Sequence, residues 1–162
     1  DEHDDLARPL GQWLAGQDVH LLTGGGSGVM EAVSRSFHSV PDRRGLVIGV
    51  LPGEAGRSPE GYPNPWVEIP IATHLPFSGE QGTEVRSRNH INVLSADAII
   101  VLPGGAGTAS EVDLAIKYRK PLAAFAIEPG DLSKLPPDVS VYQTIDEIKA
   151  FVTASLKTRA KL

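Results

Sequence analysis

The chain has 162 residues, a formal net charge of −5 and no cysteine. That length suits one domain, the lack of cysteine excludes disulfides and thiolate chemistry, and a mixed, mildly acidic charge argues against broad nucleic-acid binding. No apolar run approaches membrane-spanning length and no signal peptide is visible, so the expectation is a soluble cytoplasmic protein with neither membrane nor nucleic-acid partners.

The segment from Asp1 to Asp5 is acidic, and Leu6, Leu10, Trp13 and Leu14 then fall on one helical face that Gly16 ends. Val19 to Thr23 reads as a short strand that runs into Gly24-Gly25-Gly26-Ser27-Gly28. Val29, Val33 and Phe37 mark a second helix, with Ser27 as its expected N-cap. Leu46 to Leu51 has the unbroken apolar character of a buried strand, and Pro52 to Pro65 reads as a long surface loop. A short strand lies within Trp66 to Ala72, and a helix is expected over Thr83 to Ser95.

Ala98 to Leu102 carries no polar position, as in a parallel strand buried on both faces. Pro103-Gly104-Gly105-Ala106-Gly107 breaks it, and Thr108 with Glu111 three residues on has the capping-box pattern of a helix start. Arg119 and Lys120 suit the negative end of that helix, and Pro121 stops it. Leu122 to Ile127 is a strand, Pro129, Gly130, Pro136 and Pro137 mark a loop, and a last short strand is expected at Val139 to Val141. Thr144 and Glu147 repeat the capping box ahead of a helix whose apolar face is Ile145, Ile148, Phe151, Val152 and Leu156.

Strands alternate with helices throughout, which predicts an α/β fold with a mostly parallel sheet covered on both faces. Ligands of such sheets sit beyond the carboxyl ends of the strands, where both glycine turns are expected. A strand that ends in glycines and opens a helix presents bare N–H groups at a positive helix end, a setting for phosphate. Neither turn matches GxxxxGK[ST] or GxGxxG, so a P-loop NTPase and a dinucleotide dehydrogenase are disfavoured. The five histidines form no HxxxH or HxH pair, and no metal site is expected. Arg88 precedes the buried strand and would grip a phosphate in bidentate fashion if it points to the same crevice; otherwise it is a solvated helix residue. Glu111 reads either as a helix cap or as a carboxylate close enough to a bound phosphate to reach the attached sugar.

Arg88-Asn89, Ser95-Ala96-Asp97-Ala98 and Pro103-Gly104-Gly105-Ala106-Gly107-Thr108-Ala109-Ser110-Glu111 together resemble the LOG ("Lonely Guy") family, also called lysine-decarboxylase-like. The motif PGGxGTxxE is matched in full, and Gly24, Gly25, Gly26, Ser27, Gly28 and Met30 resemble the family's early glycine turn. The resemblance implies a Rossmann-like fold, a nucleoside 5′-monophosphate site and a homodimer or tetramer. It also implies phosphoribohydrolase activity, which frees a base from its ribose 5′-phosphate. The family's catalytic arginine and glutamate fall on Arg88 and Glu111, with the phosphate held at Pro103 to Thr108 and beside Asn89. No cofactor is required for that chemistry.

The hormone-activating members carry Arg-Lys where this chain has Arg88-Asn89. The segments Arg88 to Asn92 and Gly107 to Val112 look closer to a branch that includes molybdenum-cofactor carrier proteins. The alternative expectation is therefore a carrier or sensor of a phosphorylated ligand, such as a nucleotide monophosphate or molybdenum cofactor. Family members also open with a strand before the first helix, whereas Asp1 begins almost at that helix. The expectation is one Rossmann-like domain over residues 1–162, with a first strand missing or that edge built differently.

Overall fold

The computed structural model describes residues 3–128, 132 and 135–159. Asp1, Pro129 and Gly130 of the sequence reading lie outside them. In chain order the elements are α1 (Asp4–Ala15), β1 (Leu21–Thr23), α2 (Val29–His38), β2 (Val47–Leu51), β3 (Ile69–Ala72), a 3-10 turn (Gly79–Gln81), α3 (Asn89–Ser95), β4 (Ile99–Val101), α4 (Ala106–Lys117), β5 (Leu122–Phe125), β6 (Val141–Tyr142) and α5 (Ile145–Arg159).

Every strand pairing is parallel, and the strands form two three-stranded sheets of order β1-β2-β3 and β4-β5-β6. The period-2 alternation of β5 shows how both faces are covered. Ala123 and Phe125 point into a core with α1, α2, α5 and Val47 of β2, while Ala124 joins Val101 and Val112 on the other face. Leu114 and Ala115 of α4 pack with Val93 of α3 on that second side. The α/β, doubly wound arrangement expected from the sequence is the one observed. The Arg35 guanidinium on α2 reaches Asp4 of α1 at 2.8 Å, which fixes one helix on the other.

Four local readings are corrected. The helix expected over Thr83 to Ser95 begins only at Asn89, because Thr83 to Arg88 is spent in turns. There Glu84 N–H donates to Gln81 O, Ser87 N–H to Glu84 O, and Ser87 Oγ accepts from Asn89 N–H. Ser27 does not cap α2; the cap position is Gly28, at φ 66°, with no side-chain bond. The helix after the second glycine turn starts at Ala106, not Thr108, with Gly105 at its cap and no side-chain bond there. Ile99 and Ile100 are half-buried, unlike Val101 and Leu102, because β4 pairs with β5 alone among the described strands.

Candidate functional site

The carboxyl ends of β1 and β4 each run into a glycine turn and then a helix N-terminus. A side chain at Gly104 would lie 3.7 Å from Val29 Cγ1, so the second turn stands beside the start of α2. Both turns therefore lie at the carboxyl ends of strands, the second beside the start of α2, where the crevice that takes ligands in this architecture is expected.

Gly24, Gly25 and Gly26 are buried. Asn64, at the end of the long loop, holds this turn from behind. Its N–H donates to Gly25 O at 2.7 Å and its Nδ2 donates to Gly26 O at 2.9 Å. Thr23 Oγ1 accepts from Gly25 N–H at 3.1 Å. With both carbonyls engaged by Asn64, the turn is fixed in one conformation. Asn64 is 4% exposed and its role was not legible in the sequence, because the contact spans 38 residues.

The second turn leaves Gly104, Gly105 and Ala106 exposed, with Gly107 and Thr108 half-buried in the first turn of α4. Thr108 folds back so that its Oγ1 would meet a Cβ on Gly104 at 2.5 Å. Ser110 Oγ donates to Gly79 O at 2.7 Å and seats the 3-10 turn against α4. The opening of α4 thus offers backbone N–H groups and the positive end of the helix dipole to the crevice.

Arg88 lies between the first turn and α4, against Gly24 on one side and near Glu111 on the other. It is 3% exposed, and a Cβ on Gly24 would overlap its guanidinium, so any side chain there would displace it. Arg88 Nη1 donates to Asn89 Oδ1 at 2.7 Å and lies 3.5 Å from Glu111 Oε1. Its Nε is buried without a hydrogen-bond partner among the described residues. Of the two readings of Arg88, the solvated helix residue is excluded: it is a buried cation beside the first turn and Glu111. Asn89, 1% exposed, orients that cation. One turn further along α3, Asn92 Nδ2 donates to the same Glu111 Oε1 over a long 3.5 Å, and Asn92 Oδ1 is buried with no partner among the described residues.

Glu111 is not a capping residue. It lies in the second turn of α4, and its carboxylate faces Arg88 and Asn92 instead of its own helix end. Desolvation by the surrounding protein pushes its pKa up; the Arg88 charge and the Asn92 amide pull it down but do not cancel the rise. Its side chain keeps a third of its surface exposed at the rim. The result is a carboxyl group held closer to neutrality than a surface glutamate, next to a buried arginine with an open donor. Such a pair can accept an anion and exchange a proton.

A separate open depression of about 470 Å³ is lined by Asp113, Ile116, Arg119 and Asp138, among others. It lies around the C-terminal end of α4 and the start of β5, away from the glycine turns, and contains none of the sequence-predicted positions.

The fold defines a class: a Rossmann-like domain of parallel strands flanked by helices, with two glycine turns at strand carboxyl ends and a buried arginine against the first. The chain belongs to the SLOG cluster4 family, whose model matches residues 1–154. This agrees with the LOG-like motif read from the sequence. The chain is similar to the molybdenum cofactor carrier protein of Chlamydomonas reinhardtii, at 30% identity and a TM-score of 0.70 over 96% of this chain and 89% of that one. It is likewise similar to the molybdenum cofactor binding protein of Rippkaea orientalis, at 33% identity and a TM-score of 0.67 over 93% of this chain and 88% of that one. An uncharacterized protein of Archaeoglobus fulgidus is 34% identical over 119 residues, 74% of this chain and 68% of its own length. The similarities to the Chlamydomonas and Rippkaea proteins agree with the branch near the carrier proteins expected from the sequence.

Proposed function

We propose that this protein binds a phosphorylated heterocycle and carries or senses it, with molybdenum cofactor as the leading cargo. The observation that carries this reading is Arg88: a buried guanidinium against the first glycine turn and beside α4, with its Nε unpartnered among the described residues. A buried donor without a partner costs about 1–3 kcal/mol, which a phosphate oxygen would recover. The helix dipole of α4 adds to the same preference for an anion. The similarity to two proteins described as binding molybdenum cofactor supports the choice of cargo. Mass spectrometry of what copurifies with the protein tests it. A phosphorylated pterin is the expected finding; a ligand without phosphate would overturn it.

A second reading rests on Glu111. A carboxyl with a raised pKa beside an anion-binding arginine suits hydrolysis of the N-glycosidic bond in a nucleoside 5′-monophosphate. Glu111 would stabilise the developing oxocarbenium charge and activate water. Glu111→Gln separates the two readings: an enzyme keeps ligand binding and loses base release, whereas a carrier releases no base in either form.

The same proposal extends to a homodimer or a tetramer of dimers. Ile91 and Leu94 of α3 and Ile116 of α4 are large apolar side chains that stay exposed, as is Val85 just before α3. Apolar surface of this kind on a small domain marks an interface, and two-fold closure is its commonest form.

A further inference from the structure

We infer that Tyr62, with Met30, forms the wall against which the flat ring of the ligand stacks; this rests on the reading of the crevice as a site for a phosphorylated heterocycle. The ring is brought there by the Asn64 clamp two residues on, which ties the end of the long loop to Gly25 and Gly26. A side chain at Gly26 would meet Met30 Cε at 2.7 Å and Tyr62 Oη at 3.0 Å, so both side chains press on the backbone of this residue. Both are half-buried, leaving a neutral, polarisable surface beside a turn that has no side chains of its own. The Tyr62 hydroxyl has no hydrogen-bond partner among the described residues.

The placement relative to Arg88 gives the wall its role. Gly24 touches the Arg88 guanidinium and Gly26 touches Tyr62. Two residues of chain span at most about 7 Å, so Arg88 and Tyr62 flank one short stretch of backbone, within reach of a single ligand of nucleotide size. A phosphate at Arg88 and the α4 N-terminus therefore places an attached planar ring beside Tyr62. Aromatic stacking tolerates different rings because each presents a π face. The wall selects for a heterocycle over a bare sugar phosphate without choosing among heterocycles. The alternative role of Tyr62 is to cover the glycine turn and nothing more.

Calorimetric titration of the full chain with two sets of probes separates these. One set is inorganic phosphate and ribose 5-phosphate; the other is AMP, GMP and neopterin phosphate. Tyr62→Leu fills the space but cannot stack, and Tyr62→Phe retains the ring. We expect Tyr62→Leu to weaken the ring-bearing ligands about tenfold to a hundredfold, the range of one base–aromatic stack. Phosphate and ribose 5-phosphate should change by no more than about twofold, and Tyr62→Phe should keep ring binding close to that of the unaltered chain. Equal loss for both sets, or no loss for either, in a variant with an unchanged melting temperature overturns the stacking role. A fall in phosphate affinity on Tyr62→Phe overturns it too, since it assigns the hydroxyl to the anion. Failure of the unaltered chain to bind any probe of either set refutes the anion-site reading, and this inference with it.

Discussion

Arg88 Nη1 and Glu111 Oε1 stand 3.5 Å apart, one on the residue just before α3 and the other in the second turn of α4. That is longer than the 2.7–2.9 Å of a close charge-assisted hydrogen bond, and Arg88 makes its short bond to Asn89 instead. The pair is near enough for each group to hold the other's charge in place and loose enough for an anion to compete for the guanidinium.

The first prediction follows from that looseness. Arg88→Ala should weaken binding of a nucleoside or pterin monophosphate roughly ten- to hundredfold, the worth of a charge-assisted pair of about 1.5–3 kcal/mol. The corresponding unphosphorylated compound should lose little. Arg88→Lys should recover only part of the loss, because an ammonium lacks the planar fork. Equal loss for phosphorylated and unphosphorylated ligands would show Arg88 to be a structural residue only.

Gly24→Ala tests the contact from the other side. The added methyl overlaps the guanidinium, so Arg88 or the turn must move. Phosphate affinity should fall even though no charge is removed. Stability should fall too, by about 1–3 kcal/mol as for other overpacked interiors. Chemical denaturation and calorimetry on one preparation read both; an unchanged affinity would mean that the turn does not position Arg88.

Glu111 controls a pH dependence whose sign is fixed by its raised pKa. The folded chain holds the Glu111 proton more tightly than the unfolded chain does. Stability therefore falls as pH rises from the unfolded value through the folded one. Glu111→Gln mimics the protonated form and should remove that fall. The variant should be more stable than the parent at neutral pH, and the difference should shrink below pH about 4, where the parent is itself protonated. Thermal melts from acid to neutral pH measure it. A variant less stable at neutral pH would mean that the Arg88 attraction outweighs desolvation.

Thr108-x-x-Glu111 and Thr144-x-x-Glu147 are the same signature, and only the second behaves as the sequence predicts. Glu147 accepts from Thr144 N–H at 3.0 Å and from Thr144 Oγ1 at 2.7 Å, and Glu147 N–H donates back to Thr144 Oγ1 at 3.4 Å. At Glu111 a buried arginine from the turn before α3 competes for the carboxylate, and the glycines let α4 start two residues early. The alternation of strands and helices and the position of both turns were legible because they depend on local periodicity and glycine content. The Asn64 clamp, the Tyr62 wall and the open Arg88 Nε depend on contacts across the fold, which no local pattern encodes. The misplaced start of α3 has the same origin: Thr83 to Arg88 has a helical composition, but its backbone is spent in turns before Asn89.

Assembly is the last prediction. On α3, Val93 is 2% exposed and packs with Leu114 and Ala115 of α4, whereas Ile91 and Leu94 point outward at 36% and 51%. The helix thus spends one face on its own core and keeps a second apolar face in solvent. Val85, 89% exposed, precedes the same helix. Covering such side chains is worth roughly 25 cal/mol per Å² of apolar surface, and a self-complementary patch on a rigid helix pair closes most simply about a two-fold axis. Light scattering at micromolar concentration should therefore give twice or four times the mass of one chain. The double substitution Ile91→Glu and Leu94→Glu should return it to the mass of one chain while the far-ultraviolet circular dichroism stays unchanged, because neither side chain belongs to the core. An unaltered chain that scatters as a monomer would refute the interface, and so would a double variant that keeps the larger mass.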